Sequence, residues 1–297
     1  MNKPKLIVVA GTNASGKSAL GVALAEKYNA EIISADSRQV FRGFDLGSGK
    51  ITSEEMRGVR HHLIDVCGAG DFFSMHDFQK LAYRAIEDIL SRGKLPMIVG
   101  GTGLYIASVT DGYVMSDREP DLAYRDELEK LETPDLYRML LEKVPDIQVD
   151  AKNRNRVMRI LEKLHDGDDH LPHKDPRYDC LKLGVTWDRE TLKARIDERL
   201  EKRMQQGMVD EVKSLLNQGA SVEFMNKLGL EYRYITQYLT GEIASEAEMC
   251  TQLSLAIKRF AKRQMTWFRR EKDMHWLNMT ADPFAQACTL IDDFLRG

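Results

Sequence analysis

Cysteine is scarce in this chain and scattered. Cys67, Cys180, Cys250 and Cys288 lie far apart with no C-x-x-C spacing, which argues against a disulfide framework or a zinc knuckle and leaves reduced, mostly buried thiols as the expectation. Long apolar runs are missing as well. None approaches the roughly 20 residues of a membrane span, and the apolar stretch of the opening "MNKPKLIVVAG" ends too soon for a signal peptide. The expectation is a cytoplasmic protein without membrane contact. Nor is there an excess of basic charge: 43 Lys and Arg face 46 Asp and Glu, for a net charge of −3. The chain as a whole does not advertise affinity for nucleic acid. Internal repeats and low-complexity tails are absent. Its 297 residues allow one large domain or one and a half, expected as a monomer.

What is present begins with "VAGTNASGKSAL". Gly11, Thr12, Asn13, Ala14, Ser15, Gly16, Lys17 and Ser18 fit G-x-x-x-x-G-K-[ST], a loop whose backbone N–H groups wrap a phosphate chain while the Lys and the hydroxyl serve charge and Mg²⁺. "KLIVVA" before it is a β-branched apolar run of the kind found in buried parallel strands. "SALGVALAEKY" after it has helical spacing. Strand, glycine loop and helix in that order make a phosphate site of what would otherwise be a string match.

Further apolar strands follow at "AEIISAD", ending at Asp36, and "LPMIVGG", ending in a glycine turn before Thr102. Between them "SMHDFQKLAYRAIEDILSRGK" predicts a helix opened by Ser74 as N-cap and stopped at Gly93. Strands are also expected at "CLKLGVTW" and "MHWLN". The alternation predicts an α/β fold, a P-loop NTPase-like parallel sheet flanked by helices. In such sheets ligands bind at the carboxyl ends of the strands, where the loop, Asp36 and Thr102 would converge. From 114 to 153 the chain is charged, amphipathic and broken by Pro120, Pro134 and Pro145, which suggests a small helical insertion domain. Residues 1–113 and 154–297 would form the catalytic core.

Individual residues are more ambiguous on spacing alone. Asp36 could cap a helix, hold Mg²⁺ through water or do chemistry directly. His61, His62 and Asp65 are of metal-ligand type, but adjacent histidines converge poorly on one ion, and capping or core packing is favoured. Trp276 and Phe294 read as core. Between Lys258 and Lys272 seven basic residues stand against one acid, with Trp267 and Phe268 among them. Lys258, Arg259, Lys262 and Arg263 fall at i, i+4 on neighbouring helical faces, as either a solvated surface or a phosphate-backbone contact.

The blocks "GTNASGKS", "SADSRQVFRGFDLGSGK", "HHLIDV", "FSMHDFQ", "LPMIVGGTGLY", "AKRQMTWFRR" and "HWLN" resemble, in order and spacing, the tRNA dimethylallyltransferases, over nearly the whole chain. D-S-x-Q-V and K-R-Q-x-T-W-x-R are not general features of phosphate loops. The resemblance implies transfer of a dimethylallyl group from dimethylallyl diphosphate to N6 of the adenosine just 3′ of the anticodon in tRNA, with Mg²⁺ and release of pyrophosphate. It implies Asp36 as general base, with Thr102, Arg199 and the loop from Gly11 to Ser18 on the diphosphate, Ser18 also on the metal, and Arg195 as a substitute for Arg199. It implies tRNA contacts from Asp36, Ser37, Arg38, Gln39, Asn155, Arg156, Arg159, Tyr232, Arg233, Lys262, Arg263, Gln264, Thr266, Trp267 and Arg269, with the insertion closing over the anticodon stem-loop.

The chain departs from that pattern in places. Thr12-Asn13 stands where Pro-Thr is usual, Phe41 where a Tyr follows D-S-x-Q-V, "GSGKIT" for G-T-A-K-P-T, Leu228 for an Arg and Glu231 for a Gly. In an RNA-facing turn Glu231 would oppose phosphate binding. Rival readings are a prenyltransferase acting on free AMP, ADP or ATP, a nucleotide or small-molecule kinase with Arg118, Arg125 and Arg138 in its lid, and an inactive RNA-binding module.

Overall fold

Strand β1 (Lys5–Gly11) divides its side chains between two cores. Leu6, Val8 and Ala10 enter one apolar cluster and Ile7 and Val9 another, as a strand buried on both faces requires. In the computed structural model, which describes residues 3–115, 121–167 and 173–297, this strand lies inside a six-stranded sheet. Arg118 and Pro120 lie outside the described residues. The other strands are β2 (Ala30–Ala35), β3 (His61–His62), β4 (Leu95–Gly100), β5 (Asp179–Thr186) and β6 (Met274–Asn278), in the order β3-β2-β4-β1-β5-β6. Every pairing is parallel. The five expected strands are present; β3, two residues long, has no sequence period and was not expected.

Helices cover both faces. α1 (Lys17–Lys27) packs against the cluster that also holds Ala287, Cys288 and Ile291. On the opposite face lies the helix expected between the Ser74 N-cap and Gly93, which runs from Met75 to Ser91, after the four-residue helix α2 (Ser53–Met56), and is here α3. Ser74 caps it with a reciprocal capping box to Asp77. Trp276 is 37 % exposed on β6, an edge strand, and is not core. Phe294 packs at the margin of the cluster around Ile291.

The chain divides into two compact units, 1–111 with 176–297, and 112–175. The second contains α5 (Leu122–Glu129), α6 (Thr133–Lys143) and α7 (Arg154–His165), following α4 (Gly103–Thr110) of the first. The expected insertion ends at 153. The unit extends further because Val157, Met158, Ile160 and Leu161 of α7 share a cluster with Leu128, Leu136 and Leu140. Arg154 also donates to the carbonyls of Leu131, Leu128 and Glu129 at the end of α5. Asn155, Arg156 and Arg159 therefore belong to this unit, Asn155 and Arg156 exposed and Arg159 paired with Glu162 at 3.1 Å.

The remaining helices of the first unit are α8 (Arg189–Gln205), α9 (Met208–Asn217), α10 (Val222–Leu228), α11 (Leu230–Leu239), α12 (Glu246–Phe268) and α13 (Pro283–Arg296). α8 to α12 bury a second apolar centre with Val40, Phe41 and Phe44 from the segment after β2. Tyr232, 0 % exposed, lies inside it with its hydroxyl donating to Glu211 Oε1 at 3.1 Å. The Glu211 carboxylate also accepts the backbone N–H groups of Asp45, Leu46 and Gly47. A Cβ on Gly47 would lie 2.5 Å from Tyr232 Cζ. Gly47→Ala should therefore displace the ring and lower unfolding stability by about 1–3 kcal/mol, measured by urea denaturation.

Candidate active site

The phosphate loop leaves β1 with two residues in left-handed backbone, Ala14 (φ 59) and Gly16 (φ 87), and enters α1 at Lys17. Left-handed backbone leading into a helix N-terminus is a shape that favours an anion. The loop is braced from outside. Trp187 Nε1 donates to Ser15 O at 2.9 Å, and Arg195 Nε donates to Ala14 O at 3.0 Å while stacking on Trp187. Arg195 thus shapes the loop through its backbone. Ser15 Oγ is buried with no protein partner among the described residues, a donor suited to an incoming phosphate oxygen.

β2, β4 and β1 are neighbours, so their carboxyl ends bring Asp36, Thr102 and the loop together. Asp36 Oδ1 accepts the N–H of Arg38 at 3.0 Å and tightens the turn after β2. Thr102 Oγ1 accepts the N–H of Ser37 at 3.1 Å, which leaves the Thr102 hydroxyl proton for another acceptor. Lys17, Ser18, Asp36 and Gln39 line one cavity at this edge of the sheet. Gln39 is committed at both ends of its amide: the oxygen accepts from Ser34 at 3.0 Å and the nitrogen donates to Gly49 O at 3.1 Å.

A second cavity beside the loop is bordered by Asn13, Arg38, Arg199, Arg203 and Glu231. Arg199 and Arg203 are one helical turn apart on α8, and Gly49 lets both guanidinium groups approach its backbone; a Cβ there would overlap them. Arg199 has no hydrogen bond or ion pair among the described residues. Burial, then the charge of Arg203, lowers its pKa to about 10. Burial, then Arg199, lowers Lys17 to about 8. Arg203 is the residue the sequence reading missed; its signal is the i, i+4 spacing from Arg199.

Glu231 does not face RNA. It is buried and paired with Arg38 at 2.9 Å and Arg203 at 3.4 Å, so its charge is neutralised inside the protein. Burial pulls the Arg38 guanidinium down, but Glu231 and Asp36 together lift it above its ordinary range. Arg38 and Tyr232 are internal, as is Gln264: its oxygen accepts from Asn13 N at 3.0 Å and its nitrogen donates to Gly101 O at 2.9 Å. Gln264 therefore ties α12 to the phosphate loop and to the turn before Thr102. These three were expected on tRNA; all three are buried and bonded within the protein.

The exposed face of α12 carries Arg259, Lys262, Arg263, Thr266 and Trp267, continued by Arg269 and Arg270. The opposite face buries Leu253, Ile257, Ala261, Gln264 and Phe268, so the helix period separates core from charge. Gly103 lets the Trp267 indole lie against the start of α4. Lys258 leaves this strip and pairs with Asp197 at 2.6 Å. Arg233 is exposed, with Nε donating to Asn226 O at 2.7 Å. His61 contacts Val59 O and His62 contacts Glu31, which also binds Arg92 and Lys94.

A phosphate loop at the carboxyl ends of a parallel sheet, with Asp36, Glu231 and the guanidinium groups of Arg38, Arg195, Arg199 and Arg203 around it, defines a P-loop-type protein. The sequence pattern of the IPP transferase family matches residues 39–271, and the chain belongs to that family. It is 42 % identical over 297 residues to tRNA dimethylallyltransferase 2 of Citrifermentans bemidjiense, covering 97 % of this chain and 95 % of that one. With the tRNA dimethylallyltransferase of Streptococcus pyogenes it shares 40 % over 299 residues, 99 % of this chain and 98 % of the relative. The crystal structure of a tRNA isopentenylpyrophosphate transferase from Bacillus halodurans matches with a TM-score of 0.75 and 36 % identity, covering 99 % of this chain and 96 % of that one. A eukaryotic dimethylallyltransferase acting on tRNA gives 0.82 and 25 %, with 99 % and 80 % coverage.

Proposed function

We propose that this enzyme transfers the dimethylallyl group of dimethylallyl diphosphate to N6 of the adenosine immediately 3′ of the anticodon in tRNA. The observation that carries this reading is the meeting of a cationic phosphate loop with Asp36 at the carboxyl ends of three adjacent strands, beside a basic, aromatic helix face. In the reaction the C–N bond forms as the allylic C–O bond breaks. The N6 proton passes to Asp36, and the bonding pair leaves with pyrophosphate. Adenine N6 is a weak nucleophile because its lone pair is delocalised into the ring, so removal of its proton contributes about 10²- to 10⁴-fold. Lys17, Arg199, the Thr102 hydroxyl and the loop amides stabilise the charge growing on the leaving oxygens.

Ser18, exposed in the first turn of α1 and sharing a cavity with Asp36 and Gln39, offers oxygen chemistry that fits Mg²⁺. When bound, the ion would add positive charge at the diphosphate. A base inside a stacked anticodon arm must be extruded to reach Asp36. Arg259, Lys262, Arg263 and Arg269 would hold the RNA backbone meanwhile, with Trp267 as an apolar surface beside them.

The basic face separates this reading from a transferase acting on mononucleotides, which needs no such surface. A kinase lid finds little support: Arg125 pairs with Glu129 and Glu162, and Arg138 with Asp135. The purified protein with dimethylallyl diphosphate, Mg²⁺ and an unmodified anticodon stem-loop should add C5H8 to the RNA, read by mass spectrometry. AMP and ATP in parallel should remain unmodified. Addition to the mononucleotides alone would overturn the assignment of tRNA as acceptor.

A further inference from the structure

Three guanidinium groups and a single carboxylate border the cavity beside the phosphate loop. The carboxylate, Glu231, is 2 % exposed and stands in the first turn of α11, where the helix end favours negative charge. Its two oxygens are divided. Oε2 accepts from Arg38 Nη1 at 2.9 Å and Oε1 from Arg203 Nη1 at 3.4 Å. Arg199, one turn from Arg203 on α8 and packed beside it on Gly49, has no such partner among the described residues.

The chemistry of a leaving diphosphate makes this division consequential. Cations that hold the diphosphate equally well before and after bond cleavage do not speed the chemical step, and they slow the departure of pyrophosphate. A cavity with all its guanidinium groups unopposed would be such a trap. A resident carboxylate shared by two of them lowers the charge offered to the ligand without removing the groups that shape the site.

We propose that Glu231 is a positioning residue that limits the anion affinity of this cavity: by holding Arg38 and Arg203 it leaves Arg199 as the principal diphosphate cation there, beside Lys17 of the phosphate loop, and allows pyrophosphate to leave. The proposal rests on the reading that the cavity receives the diphosphate of the prenyl donor.

Calorimetric titration with inorganic pyrophosphate in Mg²⁺ buffer tests it without turnover. Glu231→Gln keeps the shape and removes the charge, and should bind pyrophosphate about 5- to 20-fold more tightly than wild type. Its steady-state kcat should fall, with the pyrophosphate inhibition constant lowered by the same factor. Arg203→Gln should weaken binding by about the same factor, and Glu231→Gln/Arg203→Gln should return to within about threefold of wild type. A purely structural role predicts the opposite sign, weaker binding in Glu231→Gln, and that result overturns the proposal. If wild type itself fails to bind pyrophosphate, the diphosphate reading of the cavity falls and takes the proposal with it. If wild type binds and Glu231→Gln is no tighter, only the proposal falls. Should Glu231→Gln not fold, the double variant carries the test: wild-type affinity supports the proposal, and a loss beyond about tenfold overturns it.

Discussion

Asp36→Asn should lower the single-turnover rate of prenyl transfer by about 10²- to 10⁴-fold while leaving stem-loop affinity within about threefold of wild type. The expectation comes from how Asp36 is held. It is 9 % exposed at the end of β2, and its Oδ1 accepts the Arg38 N–H at 3.0 Å. Oδ2 makes no hydrogen bond among the described residues, and the side chain borders the cavity with Lys17, Ser18 and Gln39. Asn preserves the acceptor that tightens the turn and cannot take a proton, so the substitution separates geometry from basicity. Asp36→Ala also strips the Arg38 N–H of its acceptor and should lower stability in addition. Quench-flow with mass detection gives the rate, and filter binding gives the affinity. An unchanged single-turnover rate in Asp36→Asn would mean that the N6 proton leaves by another route.

The parts of this site that were legible in the sequence are the local ones. A strand, a glycine loop and a helix follow one another within a few residues, so β1, the loop and α1 could be read together, as could Asp36 and Thr102 at strand ends. The buried charge network could not. Glu231 and Arg38 are 193 positions apart, and nothing near Glu231 signals that α11 turns it inward. Tyr232 beside it was expected on RNA from the resemblance, and a helical Tyr is equally compatible with either face until its neighbours are known. Gln264 sits within a basic stretch whose composition says surface. The helix period puts it on the side of Ile257, Ala261 and Phe268, and only its bonds to Asn13 N and Gly101 O show that this side meets the loop. α7 could be recognised as a helix, but its membership of the second unit depends on which leucines it meets.

Lys17→Met should reduce prenyl transfer by about 10²- to 10³-fold and yet make the ligand-free protein more stable at neutral pH. The two effects have one cause. Lys17 is buried and among the described residues donates only to the carbonyl of Thr12, at 3.3 Å, with Arg199, Asp36, Arg38 and Arg203 as its charged neighbours. Burial first, and Arg199 second, bring its pKa from 10.5 down to about 8. The folded state therefore carries a charge it would rather release, and a diphosphate is what relieves it. At pH 7 the ammonium is protonated in both folded and unfolded chains and the burial penalty is fully present. Between the folded value of about 8 and the unfolded value of 10.5 the folded protein has lost the proton and the unfolded chain retains it. Stability relative to Lys17→Met then rises with pH. The Met variant should be more stable than wild type by about 1–3 kcal/mol at pH 7, a difference that shrinks as pH rises toward 10. Urea titrations of both proteins in chelator, from pH 7 to 10, measure it, since titrations common to the two cancel. Added pyrophosphate should reverse the order at pH 7 by stabilising wild type alone. A Met variant that is less stable than wild type without ligand would show that Lys17 is held by the fold for structural reasons, and that the phosphate loop is not poised for an anion.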